Sequence, residues 1–228
     1  MCGRYARYSD KQRIAEHFQT SESVFDIHPN YNVAPATMQP VIRLNADTSA
    51  REIVMMRWGL IPGWYKDPRH LGLSTINAKA ETLMEKPMWR QPFKKRRVLV
   101  PADAFFEWKK IDAKTKQPHA FALKDNAMMA LAGVWERWNA PDGKPVDTFA
   151  IITTEPNELA ARVHNRMPVL LKTQDYARWL TGADQEPPPI DLLRPYDARA
   201  MRVWRVGREV GNVRNNGPEL LAEISPST

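Results

Sequence analysis

The chain has 228 residues, 43% of them hydrophobic and 26% charged, enough for a core beneath a polar surface. No apolar run nears the ~18 residues of a membrane span, and the opening MCGRYARYSDKQR lacks a signal peptide's apolar stretch; a cytoplasmic protein without a membrane partner is expected. A net charge of +7 favours a polyanionic partner, while a single cysteine excludes an intrachain disulfide or multi-cysteine zinc site.

In chain order, a helix is expected over 10–18, capped by Ser9, with Ile14, Ala15 and Phe18 on one face. Short strands are expected at 41–44, 53–56, 98–100, 121–123, 128–132 and 148–152. Helical patterns recur at 80–85, 157–163 and 174–180, and Pro141-Asp142-Gly143 reads as a hairpin turn. The run Lys94-Lys95-Arg96-Arg97 reads as a solvated face, and 182–189 as a proline-rich loop. Nineteen prolines punctuate the chain into short elements. The expectation is one α+β domain over 1–228 with a largely antiparallel sheet. His17, His28, His70, His119 and His164 are scattered without metal-ligand spacing, and neither GxGxxG nor GxxxxGK[ST] occurs. No metal and no cofactor are expected.

Cys2 carries the most chemistry. Removal of Met1 is favoured by the small residue that follows, and it leaves an amine and a thiol on adjacent carbons. Such a 1,2-aminothiol condenses with an aldehyde to an imine, and the thiol then closes a five-membered thiazolidine. An α-amine with a pKa near ~7.7 is roughly one-sixth neutral at pH 7, several hundredfold more than a lysine amine.

Several segments together resemble one family. MCGRY at 1–5, YNVAP at 31–35, WGLIPGW at 58–64 and INAKAET at 76–82 are followed by PADAFFEW at 101–108, VHNRMPV at 163–169 and VGNVRNNGPELL at 210–221. In this order they closely resemble the SOS response-associated peptidase (SRAP) family, the abasic-site processing proteins. The resemblance implies an α+β fold with a barrel-like, largely antiparallel core and peripheral helices. It also implies a monomer that binds abasic sites in single-stranded DNA at replication forks, nucleoid-associated when bound. The implied chemistry is lyase-type: a thiazolidine crosslink through Cys2 that shields the lesion from strand cleavage. The family name keeps open a cysteine or N-terminal-nucleophile (auto)peptidase, and the basic charge a non-covalent single-strand binder.

Carried over by motif, the catalytic set is Cys2, Asn77, Glu107 and His164; charge and aromatics beside those motifs give a DNA-binding set of Arg4, Lys79, Arg166, Trp64 and Tyr65. Glu107 lies among Phe105, Phe106 and Trp108, which would desolvate its carboxyl and suit it to proton transfer near neutrality. His164 would help to open the sugar, and Asn77 would fix the amine and a sugar hydroxyl. Arg4, Lys79 and Arg166 would hold phosphates, with Trp64 and Tyr65 as a stacking platform or wedge. The sequence departs from the family pattern at Lys79, where Arg is usual, and at Ala104, Phe106 and Asn165, where Gly, Tyr and Asp are common. Those changes bear on the details of DNA geometry and proton relay.

Overall fold

The central strands are buried at consecutive residues, so both of their faces meet apolar partners. A computed structural model describes residues 2–21, 24–67, 73–182 and 187–225; His70 and residues 183–186 of the proline-rich loop lie outside them. The strands are β1 (Tyr5–Arg7), β2 (Asn30–Val33), β3 (Met38–Leu44), β4 (Arg51–Trp58), β5 (Asn77–Lys79), β6 (Arg97–Ala102), β7 (Ala104–Lys110), β8 (Lys116–Leu123), β9 (Met129–Asn139), β10 (Pro145–Thr154), β11 (Met167–Pro168), β12 (Leu170–Leu171) and β13 (Met201–Arg205). Three α-helices, α1 (Lys11–Phe18), α2 (Pro87–Lys95) and α3 (Tyr176–Leu180), lie between them.

Strands β10, β4, β3, β6 and β9 pair in that order, and β9 pairs back with β10 to close a five-stranded barrel. Its pairings are antiparallel except β4 with β10. Gly133 makes the closure possible. It pairs with Val98 on one side and Ile151 on the other, and a Cβ there would meet Val98 Cγ2 at 2.8 Å and the Ala150 carbonyl oxygen at 3.1 Å. Backbones this close leave no room for a side chain.

A second sheet, β13-β8-β7-β1-β2, is antiparallel throughout. One face turns Tyr5, Phe105 and Phe121 into a core shared with the barrel residues Trp58, Val100 and Phe149, where the Phe105 and Phe121 rings stack at 4.8 Å. Its other face, with Ala6, Phe106 and Ala120, is covered by Val206, Val210 and Leu220 near the C-terminus. The helices cover the far side of the barrel, where Phe18, Phe93 and Trp179 pack with Ile42, Leu99 and Ile152.

Several local expectations change. Asp10, not Ser9, caps α1 by accepting from the Arg13 N–H. Ser9 instead donates its hydroxyl to Asp103 Oδ1 at 2.6 Å and its N–H to Oδ2 at 2.8 Å, tying β1 to the turn between β6 and β7. The helical patterns at 80–85 and 157–163 shrink to 3-10 turns at Ala80–Thr82 and Ala160–Arg162. The pattern at 174–180 becomes a 3-10 turn followed by α3. The hairpin turn stands: Gly143 adopts φ +80° and donates to the Ala140 carbonyl.

The basic run at 94–97 is a solvated face only in part, with Lys95 exposed. Arg97 is buried and donates to the carbonyls of Phe93, Lys94, Trp179 and Thr181, so one guanidinium satisfies the C-terminal carbonyls of both α2 and α3. Arg96 pairs with Glu136 at 2.5 Å. Among the described residues no helix is long and apolar enough to cross a membrane.

Candidate functional site

Strand pairing brings residues distant in sequence to the start of the chain. The pairing of β1 with β7 sets Tyr5 opposite Phe105, and Phe106 donates to the Arg4 carbonyl at 3.0 Å. This register carries Cys2 toward Glu107. Cys2 is fully buried. Burial, reinforced by the neighbouring Glu107 carboxylate, raises its thiol well above the ordinary range, although the Arg4 N–H opposes the shift.

Asn77 arrives from the opposite side. Strand β5 pairs in parallel with β10, Asn77 opposite Ile151, and the Ile76 carbonyl accepts from both the Ile151 N–H and Trp58 Nε1. Held this way, the Asn77 side chain is buried and donates from Nδ2 to the Cys2 carbonyl at 2.8 Å. The other end of its amide, Oδ1, is buried with no hydrogen-bond partner among the described residues. Such an acceptor is costly unless a donor reaches it.

His164 follows the 3-10 turn at Ala160–Arg162 and donates its own N–H to the Ala160 carbonyl. Its Nδ1 accepts from the Arg166 N–H at 3.1 Å. The Arg166 carbonyl lies 3.3 Å from the same nitrogen; the N–H contact goes with a ring proton on Nε2 and the carbonyl contact with one on Nδ1. The other ring nitrogen, Nε2, lies 3.9 Å from Glu107 Oε2, beyond a direct hydrogen bond. Burial, followed by nearby positive charge, lowers the His164 pKa, which keeps the ring neutral at pH 7. Burial pushes the Glu107 carboxyl the other way, up to about 7. A buried carboxyl near half-protonation therefore stands among a thiol, an amide and a neutral imidazole.

The remaining five residues have different surroundings. Lys79 is exposed at the end of β5. Trp64 is 68% exposed, Tyr65 partly so, with ring centroids 5.4 Å apart. Together with Asn77, Lys79, Lys86 and Trp89 they line a cleft of about 410 Å³, so the aromatic pair is continuous with the buried cluster through Asn77. Arg166 faces Glu81, with Nη1–Oε1 at 2.6 Å and Nη2–Oε2 at 2.9 Å. Arg4 turns inward. Its Nη1 donates to Asn32 Oδ1 at 2.9 Å and to the Val210 carbonyl at 3.0 Å.

That inward contact accounts for two motifs left without a role in the sequence. Asn32, in YNVAP, donates from Nδ2 to the carbonyls of Asn212 and Asn215, and the Tyr31 N–H donates to Asn216 Oδ1. Arg4 and Asn32 thus fasten VGNVRNNGPELL to the strands beside Cys2. Lys86 and Glu81 were not singled out from the sequence. Glu81 had a signal, an acid two residues beyond Lys79 in a motif already marked.

Comparison with known proteins identifies the family. The family profile described as SOS response associated peptidase (SRAP) matches residues 1–213. The abasic site processing protein YoqW of Bacillus subtilis is 43% identical over 224 residues, covering 97% of this chain and 99% of that protein. The abasic site processing protein HMCES of Mus musculus is 33% identical over 230 residues, covering 85% of this chain and 65% of that one. A crystal structure of a protein from Bacteroides thetaiotaomicron superposes with a TM-score of 0.84 at 25% identity, covering 98% of this chain and 100% of its own. The chain belongs to the SOS response associated peptidase family.

Proposed function

We propose that the protein processes abasic sites in single-stranded DNA by capturing them covalently through Cys2. The observation that carries this reading is the convergence of Cys2, Asn77, Glu107 and His164, delivered by β1, β5, β7 and the loop before β11, in one buried cluster.

With Met1 removed, the amine sits on the same residue as the thiol. Glu107, near half-protonation, donates a proton to the sugar ring oxygen as C1′–O4′ breaks, and the anomeric hydroxyl gives its proton to water as it becomes the aldehyde oxygen. His164, held neutral, hydrogen-bonds the hydroxyl released by opening through Nε2. The Cys2 amine adds to C1′, and the carbinolamine loses water to give an imine. The Cys2 S–H then adds across the C=N bond, sulfur to C1′ and hydrogen to nitrogen. One water is released and no atom changes its net oxidation state. Glu107 as carboxylate accepts the thiol proton, which a thiol raised by burial does not give up unaided. Asn77 holds the Cys2 main chain and offers its unpartnered Oδ1 to the amine. Consuming the C1′ aldehyde removes the carbonyl that acidifies the C2′ hydrogen, whose loss drives β-elimination and strand breakage.

Lys79, Arg166, Trp64 and Tyr65 place the strand, the cations on phosphates and the aromatics against bases. Arg4 acts as scaffold. The peptidase reading has weaker support, because a cysteine nucleophile needs a thiolate and this thiol is raised, with His164 held neutral.

Rapid-quench kinetics on an abasic oligonucleotide test the assignment. Glu107→Gln and His164→Ala are expected to slow adduct formation by roughly 10²-fold while binding intact single strands as the parent does. Unchanged rates in both variants would remove them from the mechanism.

A further inference from the structure

We infer that Glu81 determines specificity by occupying, in the free protein, the place on Arg166 that a DNA phosphate takes, so that intact strands bind only by displacing it. The inference rests on the reading that Arg166 meets a phosphate.

The geometry is that of a phosphate mimic. Both carboxylate oxygens of Glu81 engage both terminal nitrogens of Arg166, at 2.6 and 2.9 Å, the fork arrangement by which a guanidinium holds a phosphate. The inner edge of the same guanidinium is fixed by the protein. Arg166 Nη2 donates to the Thr153 carbonyl at 2.5 Å, and the Arg166 side chain is only 16% exposed against 52% for Glu81. The guanidinium is therefore held from within, while the carboxylate covers its solvent side. Thr153 is also the rung of β10 that pairs with Lys79 on one flank and Pro168 on the other, so one rung ties the anchor of Arg166 to the strand that carries Lys79. The Arg166 guanidinium and then Lys79 keep Glu81 below the usual carboxylate range, and it stays charged in neutral solution.

Contacts to phosphates are common to every single strand and carry no information about the lesion. An internal anion that must be displaced weakens that shared part of binding and leaves the aldehyde reaction at Cys2 to discriminate. The Glu81 side of the pair is half exposed and screened by solvent, so a phosphate, which forms the same fork, can displace it.

The experiment measures the affinity of a lesion-free oligonucleotide by fluorescence anisotropy over a range of salt, for the parent, Glu81→Gln, Glu81→Ala, Arg166→Ala and the Glu81→Gln/Arg166→Ala double variant. Both Glu81 variants are expected to bind about two- to fivefold more tightly. Their log–log salt slope should steepen by about 0.7, because the phosphate then releases a counterion without freeing a carboxylate. Less lesion-free competitor should be needed to halve the rate of abasic-site capture. In the Arg166→Ala background the Glu81 change should have no effect. If Arg166→Ala weakens binding while both Glu81 variants bind equally or less well, Glu81 only positions Arg166; this inference then fails and the proposed DNA contact stands. If Arg166→Ala leaves affinity unchanged, the contact itself is wrong, and the inference falls with it.

Discussion

Replacing Glu107 with glutamine isolates what it costs the fold to keep a carboxyl buried beside Cys2. The side chain is 4% exposed, and burial lifts its pKa from an ordinary 4.5 to about 7. At about 1.4 kcal/mol for each pH unit, holding the ionised form in this site costs about 3 kcal/mol. The native pKa lies above the unfolded one, so the folded protein binds the proton more tightly. Stability from this group is complete below about pH 4.5 and is lost as pH rises through about 7. Glutamine has the same shape and no proton to lose. Urea unfolding of both proteins between pH 4.5 and 8 at fixed ionic strength should show the variant gaining on the parent by about 3 kcal/mol across that range. In thermal melts this is roughly 6–12 °C for a chain of this size. Other titrating groups are common to both proteins and cancel in the difference. A difference that stays flat with pH, or shrinks as pH rises, would mean that the ionised carboxylate is well solvated or paired, and the proton-relay argument would lose its basis.

Two further substitutions separate binding from folding. Trp64→Ala, at a position 68% exposed, should alter stability by less than ~0.5 kcal/mol while weakening intact single-strand binding by about 1–3 kcal/mol; unchanged affinity in anisotropy would exclude stacking. Arg97→Met leaves carbonyls of α2 and α3 without their donor and should cost about 3 kcal/mol or more in urea unfolding. A loss near zero would show that water satisfies those carbonyls equally well.

Much of the barrel was legible in the sequence because its strands combine β-branched and alternating residues, as in Val41 to Leu44 and Thr148 to Ile152. Helix α2 was hidden by its own prolines. Pro87 occupies the first helical position, where no N–H is required, and Pro92 lies inside the helix, yet both read as breakers. The burial of Arg97 depends on two helix C-termini meeting over one side chain, which no local pattern encodes. The same holds for the site. Residue types at Cys2, Asn77, Glu107 and His164 suggested the chemistry, and the family motifs selected them. Their convergence depends on the β1–β7 register and the parallel β5–β10 pairing, both long-range. Glu107 is buried because the second sheet turns the face it shares with Phe105 into the core. Arg4, a cation that charge assigned to DNA, also ties its Nη1 to Asn32 and Val210, a long-range role that charge does not signal.

Intact mass spectrometry after incubation with an abasic oligonucleotide tests the central claim most directly. Protein beginning at Cys2 should gain the mass of the oligonucleotide less one water, in a product stable to heat without borohydride. N-acetylated protein, protein retaining Met1, and Cys2→Ser should give no such stable product, because each lacks the free amine and thiol on adjacent carbons. The same heat-stable adduct on acetylated Cys2 would show that the thiol reacts alone, and would contradict capture as a thiazolidine.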